Sequence, residues 1–164
     1  TETDIEKMVD QGKALSRISE NIIVKLPANK TGFAALNELK KNNIKTNITL
    51  CFDPSLALMF AKAGATYVSM IMGRTEDFNL QQSSLISRTR KIFDNYSIKT
   101  KILGASFRNP VQVEYALSQG ADILTIPPTT IDMIFENPLT KVGLIDFNTA
   151  WETINEKNRD DYGK

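Results

Sequence analysis

The sequence contains no histidine and only one cysteine, Cys51, and these two shortages exclude several kinds of active site. Without histidine the chain cannot build a Ser-His-Asp triad, and it lacks the commonest side-chain ligand of zinc. With one cysteine it cannot form an internal disulfide, so its cysteine usage gives no sign of an oxidising compartment. We expect Cys51 to be a small core residue rather than a nucleophile.

Excess charge of one sign and long hydrophobic runs are also missing. The 20 basic and 19 acidic residues give a formal net charge of +1, without a basic tract typical of nucleic-acid or membrane-surface binding. There is no signal-peptide pattern and no apolar run of membrane-spanning length. The composition therefore predicts a cytoplasmic protein with no nucleic-acid or membrane partner. Its 164 residues, 41% of them hydrophobic, fit a single domain or part of one.

The sequence alternates short apolar, β-branched runs with segments of helical spacing. After an N-terminal helical segment, five runs are typical of strands: IIVKL (22–26), TNITLCF (46–52), TYVSMIM (66–72), TKILGAS (100–106) and DILTI (122–126). Helices are predicted over 32–42, 54–63, 80–96, 110–119 and 129–135, and a C-terminal helix over 141–158 precedes a flexible tail at 159–164. This order predicts an α/β fold with a parallel sheet, either doubly wound or closed into a barrel.

Lys25 stands inside the first of these apolar runs, which looks like a strand buried on both faces. Desolvating an ammonium group there costs several kcal/mol. One explanation is that Lys25 lies at the strand end and extends its amine to water. The other is a desolvated lysine with a lowered pKa, available as an amine nucleophile toward carbonyl substrates. The run alone leaves both explanations open.

Polar residues recur toward the ends of four successive predicted strands, where a parallel barrel places its chemistry. Each of them singly has an ordinary structural explanation. Together, an amine, an amide, hydroxyl groups and two guanidinium groups describe a pocket for a phosphorylated carbonyl compound. The set is Lys25, Asn47, Thr49, Ser69, Arg74, Ser106 and Arg108.

Strict alternation along the second strand predicts which of its residues share a face. Asn47 and Thr49 should lie on one face, with Ile48 and Leu50 on the other. Cys51 has the same phase as Asn47 and Thr49. The following Asp53-Pro54 pair is typical of a helix N-cap and first helical residue.

Four motifs, IIVKLP, TNITLCF, YVSMIMGR and ILGASFRNP, resemble consecutive strand motifs of the transaldolase and fructose-6-phosphate aldolase family in order and spacing. The resemblance covers nearly the whole chain. It implies a (β/α)8 TIM barrel that performs class I aldol chemistry through a lysine Schiff base, with no cofactor or metal. It implies that Lys25 and Thr49 are catalytic, with Lys25 forming the Schiff base. The substrate and its phosphate would be bound by Asn47, Ser69, Arg74, Ser106 and Arg108.

The chain departs from the family pattern in two places. The family has three earlier strands, bearing an acid-base aspartate, an Asn-Pro-Ser motif and a residue that helps to hold the catalytic water. None of these motifs is in this sequence. We therefore expect a fragment of a longer protein, a single domain that covers about the last five β/α units of the barrel and the C-terminal helix. The family also has Pro-aromatic where this chain has Met70-Ile71, so the pocket wall near Ser69 lacks a ring.

The resemblance implies transaldolase-like transfer of a dihydroxyacetone unit between sugar phosphates. Fructose-6-phosphate aldolase activity is the alternative, and Asn47 favours the transaldolase because the aldolase branch tends to be apolar at the matching position. Two other classes stay open. One is a flavin or phosphosugar barrel that only binds phosphate, although no glycine-rich phosphate loop supports it. The other is an inactive truncated homologue that serves as an assembly or binding module.

The C-terminal helix carries an apolar face that predicts a homo-oligomer. This face consists of Leu144, Ile145, Phe147, Trp151 and Ile154. The alternative is that the helix packs on its own barrel. Family members in which this helix reaches a neighbouring subunit of a ring favour the oligomer.

Overall fold

A computed structural model describes residues 4–73 and 84–154, and every structural statement below refers to them. The predicted site residue Arg74 lies outside these ranges, as do residues 155–158 of the predicted C-terminal helix and the predicted tail. The chain divides into two compact units, Thr1–Pro127 and Pro128–Lys164. That the whole chain belongs to one domain stays a prediction.

Helices and strands alternate through the first unit. Their bounds are α1 Ile5–Ser16, β1 Val24–Pro27, α2 Lys30–Lys41, β2 Thr46–Cys51, α3 Pro54–Ala63, β3 Tyr67–Ile71, α4 Leu85–Asn95, β4 Lys101–Ala105, α5 Pro110–Ser118 and β5 Ile123–Leu124. The second unit contains α6 Pro128–Phe135 and α7 Pro138–Thr153. Within the described ranges, each helix falls short of the length and apolar character needed to cross a bilayer.

Side-chain caps explain where several of these helices begin. Asp53 accepts a hydrogen bond from the Leu56 N–H at 2.8 Å, and Pro54 occupies the first turn of α3, as the Asp-Pro pair predicts. Asn29 and Asn109 cap α2 and α5 in the same way. Each of these helices follows directly on a strand, so the caps also define the loops at the carboxyl ends of the strands.

The five strands form one parallel sheet in the order β1-β2-β3-β4-β5. A doubly wound sheet reverses its strand order at a switch point, whereas a (β/α) barrel adds each strand beside the previous one. The sequential order therefore confirms the α/β class and the parallel sheet, and it is compatible with a TIM-barrel-like fold. That these strands are the last five of eight stays a prediction.

The main hydrophobic cluster lies on one face of this sheet. Side chains at alternate positions of the strands are buried there and belong to a cluster that includes Leu36, Leu39, Phe60 and Phe93 of the helices. Burying each such side chain contributes about 1.5–3 kcal/mol. The strand residues of this helix-covered face are Val24, Leu26, Ile48, Cys51, Val68, Met70 and Ile102.

A β-bulge interrupts β2. Ile48 pairs with Val68 and Cys51 pairs with Met70, so Thr49 and Leu50 together lie opposite one residue of β3. Leu50 has a φ of 57°, in the left-handed region that costs a non-glycine residue about 1–2 kcal/mol. The predicted strict alternation is therefore wrong beyond Thr49.

Two residues of β2 change place because of the bulge. Leu50 is 44% exposed and does not share the burial of Ile48. Cys51 is completely buried on the helix-covered face instead of sharing a face with Asn47 and Thr49. Burial is the main cause that raises the pKa of the Cys51 thiol to about 11. Cys51 is thus a core residue, as expected from the sequence.

Candidate active site

The face of the sheet opposite the helices carries the predicted polar residues of the first three strands. We call it the polar face and define it by Lys25, Asn47, Thr49 and Ser69. The register places Lys25 beside Asn47 and Pro27 beside Thr49, so these residues share a face across β1 and β2. A hydrogen bond extends this row to β3, as described below.

The Lys25 side chain is exposed, between the buried neighbours Val24 and Leu26. The expectation of a strand buried on both faces is therefore wrong for β1, and of the two explanations for Lys25 the exposure favours the one in which its amine extends to water. The physical reason is that β1 is an edge strand, paired with β2 alone among the described strands. The Lys25 side chain points away from the core toward solvent.

Asn47 and Ser69 are joined across neighbouring strands. The Ser69 hydroxyl donates to Asn47 Oδ1 at 2.8 Å. Ser69 is only 2% exposed, whereas Asn47 is half-buried. Because Oδ1 accepts this bond, Nδ2 is the donor group of the amide. Asn47 itself pairs with Lys25 in the register of β1 and β2.

Thr49 is half-buried at the bulge, next to the end of β1. Its carbonyl oxygen accepts a hydrogen bond from the Ala28 N–H at 2.8 Å, which ties the segment just after Pro27 to the bulged part of β2. This bond fixes the position of Thr49 relative to the strand that carries Lys25. Bulges commonly re-aim a side chain beside an active site.

The ends of β3 and β4 approach each other closely at Gly73. A Cβ atom added to Gly73 would lie 2.1 Å from the carbonyl oxygen of Ser106, so only glycine fits there. The Met72 N–H donates to the Ala105 carbonyl at 2.9 Å just before this contact. Gly73 directly precedes Arg74, so the structure brings the residue before one predicted phosphate ligand against Ser106.

Ser106 and Arg108 lie in the loop of residues 106–109, between β4 and α5. Ser106 has a φ of 67°, again in the left-handed region. Arg108 has an exposed side chain, and its backbone N–H donates to Gln112 Oε1 at 2.8 Å. Sequence reasoning missed Gln112. The signal that could have found it is the Asn-x-x-Gln spacing of a capping box at the start of α5.

Of Met70 and Ile71, which stand where the family has Pro-aromatic, only Ile71 lies on the same side of the sheet as the polar face. Met70 is completely buried on the helix-covered face. Ile71 pairs with Ala105 and has the strand phase of Ser69, and it is 6% exposed. An aliphatic Ile71 side chain therefore forms the wall beside Ser69.

A cavity of about 470 Å³ lies elsewhere, between α2 and α3. Its lining is mostly apolar and includes Phe33, Leu56, Met59 and Phe60. No predicted site residue within the described ranges lines it. The cavity is therefore separate from the polar face.

Comparison with known proteins decides the family. The sequence profile of the family described as "Transaldolase/Fructose-6-phosphate aldolase" matches residues 1–162. The chain belongs to this family. The resemblance inferred from the strand motifs is thereby confirmed over residues 1–162.

Similar proteins in three organisms carry the name "Probable transaldolase". The relative from Hydrogenobaculum sp. strain Y04AAS1 is 43% identical over 94% of the transaldolase-family chain and 71% of its own length. The relative from Nitrosopumilus maritimus strain SCM1 is 42% identical over 96% of the present chain and 72% of its own length. The relative from Caulobacter sp. strain K31 is 45% identical over 91% of the present chain and 69% of its own length.

Proposed function

We propose that the chain carries the Schiff-base lysine of a transaldolase-family aldolase, which transfers a dihydroxyacetone unit between sugar phosphates. The observation that carries this proposal is the row on the polar face, in which Lys25 pairs in the sheet register with Asn47, whose amide is hydrogen-bonded to Ser69. Family membership and the names of the relatives support the same class of chemistry.

The reaction begins with the neutral amine of Lys25, which attacks the carbonyl carbon of a ketose phosphate. Loss of water from the carbinolamine leaves an iminium ion. The bond between the α and β carbons of this iminium then breaks as the β-hydroxyl gives up its proton to a base. The break releases an aldehyde phosphate and moves the bonding electron pair into the iminium, which becomes an enamine. The enamine then attacks the carbonyl carbon of a second aldehyde, and hydrolysis of the new iminium returns free Lys25.

The residues around Lys25 have separate roles in this proposal. Asn47 Nδ2 and the Ser69 hydroxyl hold the hydroxyl groups of the dihydroxyacetone unit. The Thr49 hydroxyl orients the water that is lost and later returned. Ser106, Arg108 and Arg74 bind the phosphate, because guanidinium groups match phosphate oxygens in geometry and charge.

A trapping experiment tests the role of Lys25. The intact protein is incubated with fructose 6-phosphate and borohydride, which reduces an iminium to a stable amine, and the adduct is mapped by mass spectrometry. We expect the adduct on Lys25 and its loss in Lys25→Met, whose fold should persist because the lysine is exposed. Lys101→Met is the matched control, since Lys101 is another exposed strand lysine, on β4. An adduct on another lysine, or none, contradicts the proposal.

A second measurement separates transfer from simple aldol cleavage. With fructose 6-phosphate and no aldehyde acceptor, a transaldolase retains the enamine and releases little free dihydroxyacetone. We expect turnover to require the acceptor, because polar Asn47 stands where the aldolase branch tends to be apolar. Steady release of dihydroxyacetone without an acceptor would instead identify an aldolase.

A further inference from the structure

We infer that Gln112 is a positioning residue of the phosphate subsite, because it holds the loop of residues 106–109 in the conformation that presents Ser106 and Arg108. This inference rests on the proposed function, which assigns the phosphate to these two residues together with Arg74. Gln112 itself need not touch the substrate.

Gln112 binds the loop through both its backbone and its side chain. Its N–H donates to Asn109 Oδ1 at 2.9 Å, and its Oε1 accepts from the Arg108 N–H at 2.8 Å. This is a reciprocal capping arrangement in which the glutamine reaches one residue beyond the usual N-cap N–H. The bond fixes the backbone of Arg108 directly, so it orients the base of the guanidinium side chain.

The loop needs such support because its first residue is strained. Ser106 has a φ of 67°, a conformation that persists only when the surrounding structure determines it. Phe107 is 2% exposed and its ring packs against Gly104, where an added Cβ would lie 2.8 Å from the ring. Gly73 contacts Ser106 from the β3 side. Gln112 holds the remaining side of the loop, at Arg108.

The state of the Gln112 side chain argues against a purely structural role. The residue is 7% exposed, and its Nε2 atom has no hydrogen-bond partner among the described residues. A buried amide donor without a partner is unfavourable, so keeping a glutamine here has a cost that its acceptor oxygen must offset. The feature of glutamine that the described structure uses is its acceptor oxygen, which binds the Arg108 N–H.

The experiment measures the affinity of the intact protein for inorganic phosphate by isothermal titration, which requires no Schiff-base chemistry. In Gln112→Met, which keeps the length of the side chain but removes Oε1, we expect the Kd for phosphate to rise about tenfold. Gln112→Asn withdraws the acceptor by one methylene and should give the same rise, so it replaces the first variant if that does not fold.

Thr100→Val is the matched control. It removes a buried hydrogen bond, from Thr100 Oγ1 to the Ala65 carbonyl at 2.7 Å, just before the amino end of β4, the end opposite the loop. It should lower the melting temperature and leave the Kd for phosphate unchanged. A similar rise of Kd in this control would show that Gln112 acts only through general stability, and would overturn the inference.

A double variant tests whether Gln112 acts through Arg108. If it does, Gln112→Met should weaken phosphate binding less in the Arg108→Ala background than in the wild type. The inference is overturned if the effects of the two substitutions on phosphate binding are fully additive. It is also overturned if Arg108→Ala weakens phosphate binding while Gln112→Met leaves the Kd unchanged. If the wild type binds no phosphate, the inference fails even where borohydride trapping succeeds. If phosphate binds as expected but no lysine is trapped, the proposed chemistry fails and the inference stands.

Discussion

Burial of Cys51 behind the β2 bulge predicts a specific loss of stability at alkaline pH. The thiol has its pKa raised from 9.0 to about 11, mainly because burial disfavours the thiolate, with a smaller contribution from the Asp53 carboxylate. The unfolded chain therefore loses this proton at lower pH than the folded chain. Stability from this group is fully present below pH 9 and is lost as the pH rises from 9 toward 11.

The size of the effect follows from the shift. A pKa raised from 9.0 to about 11 corresponds to roughly 3 kcal/mol in total. Between pH 8 and pH 10 the linkage relation gives a loss of roughly 1 kcal/mol, since the unfolded thiol is mostly ionised at pH 10 and the folded thiol is not.

Urea unfolding at pH 8 and pH 10 measures this loss, with Cys51→Ala as the reference because other groups also titrate in this range. We expect the free energy of unfolding to fall by roughly 1 kcal/mol more in the wild type than in Cys51→Ala. We also expect a water-soluble thiol reagent to modify the native protein only as fast as it unfolds. Equal losses in the two proteins, or rapid modification of the native state, would refute the bulged register, since without the bulge Cys51 would face the polar side.

Three further predictions concern the strand ends and the C-terminal helix. Gly73→Ala should destabilise the protein by about 1–3 kcal/mol in urea unfolding, because its Cβ would meet the Ser106 carbonyl at 2.1 Å; unchanged stability would count against this contact. Arg108→Ala should lower kcat/KM for a phosphorylated ketose by an amount equivalent to about 1.5–3 kcal/mol of activation free energy. An equal loss with a non-phosphorylated ketose would argue against phosphate binding. We propose that α7, whose Phe147 is 73% exposed, assembles the protein into a homo-oligomer; light scattering at micromolar concentration should show it, and Trp151→Ala should weaken it. A monomeric wild type, or a Trp151→Ala variant with unchanged assembly, would contradict that proposal.

Local patterns were enough to predict the order of elements. Five β-branched runs became five strands, and the Asp53-Pro54 pair marked the start of α3, because strand preference and capping depend on neighbouring residues. The C-terminal helix begins at Pro138, three residues earlier than predicted. The first strand was predicted at 22–26, whereas β1 begins two residues later and extends from Val24 to Pro27. Strand ends depend on pairing with the adjacent strand.

The parts of the site that could not be predicted depend on partners distant in sequence. The bulge arises from the register between β2 and β3, which alternation within β2 does not contain. The exposure of Lys25 depends on what covers an edge strand. The contact between Gly73 and Ser106 joins two loops more than thirty residues apart. Gln112 differs, because its capping pattern is local and visible. The roles of the predicted site residues stay predictions until they are measured.

The separation of the sheet into two faces has a consequence for how this protein can change over evolutionary time. Side chains that hold the fold together, such as Ile48 and Val68, point to the helices, while Asn47 and Ser69 point the other way from the same strands. Under the proposed function, substitutions in the second set would alter which molecules are accepted without opening a void in the first. Selection on chemistry and selection on folding would then act on interleaved positions. New specificities would be reached through single replacements at alternate residues.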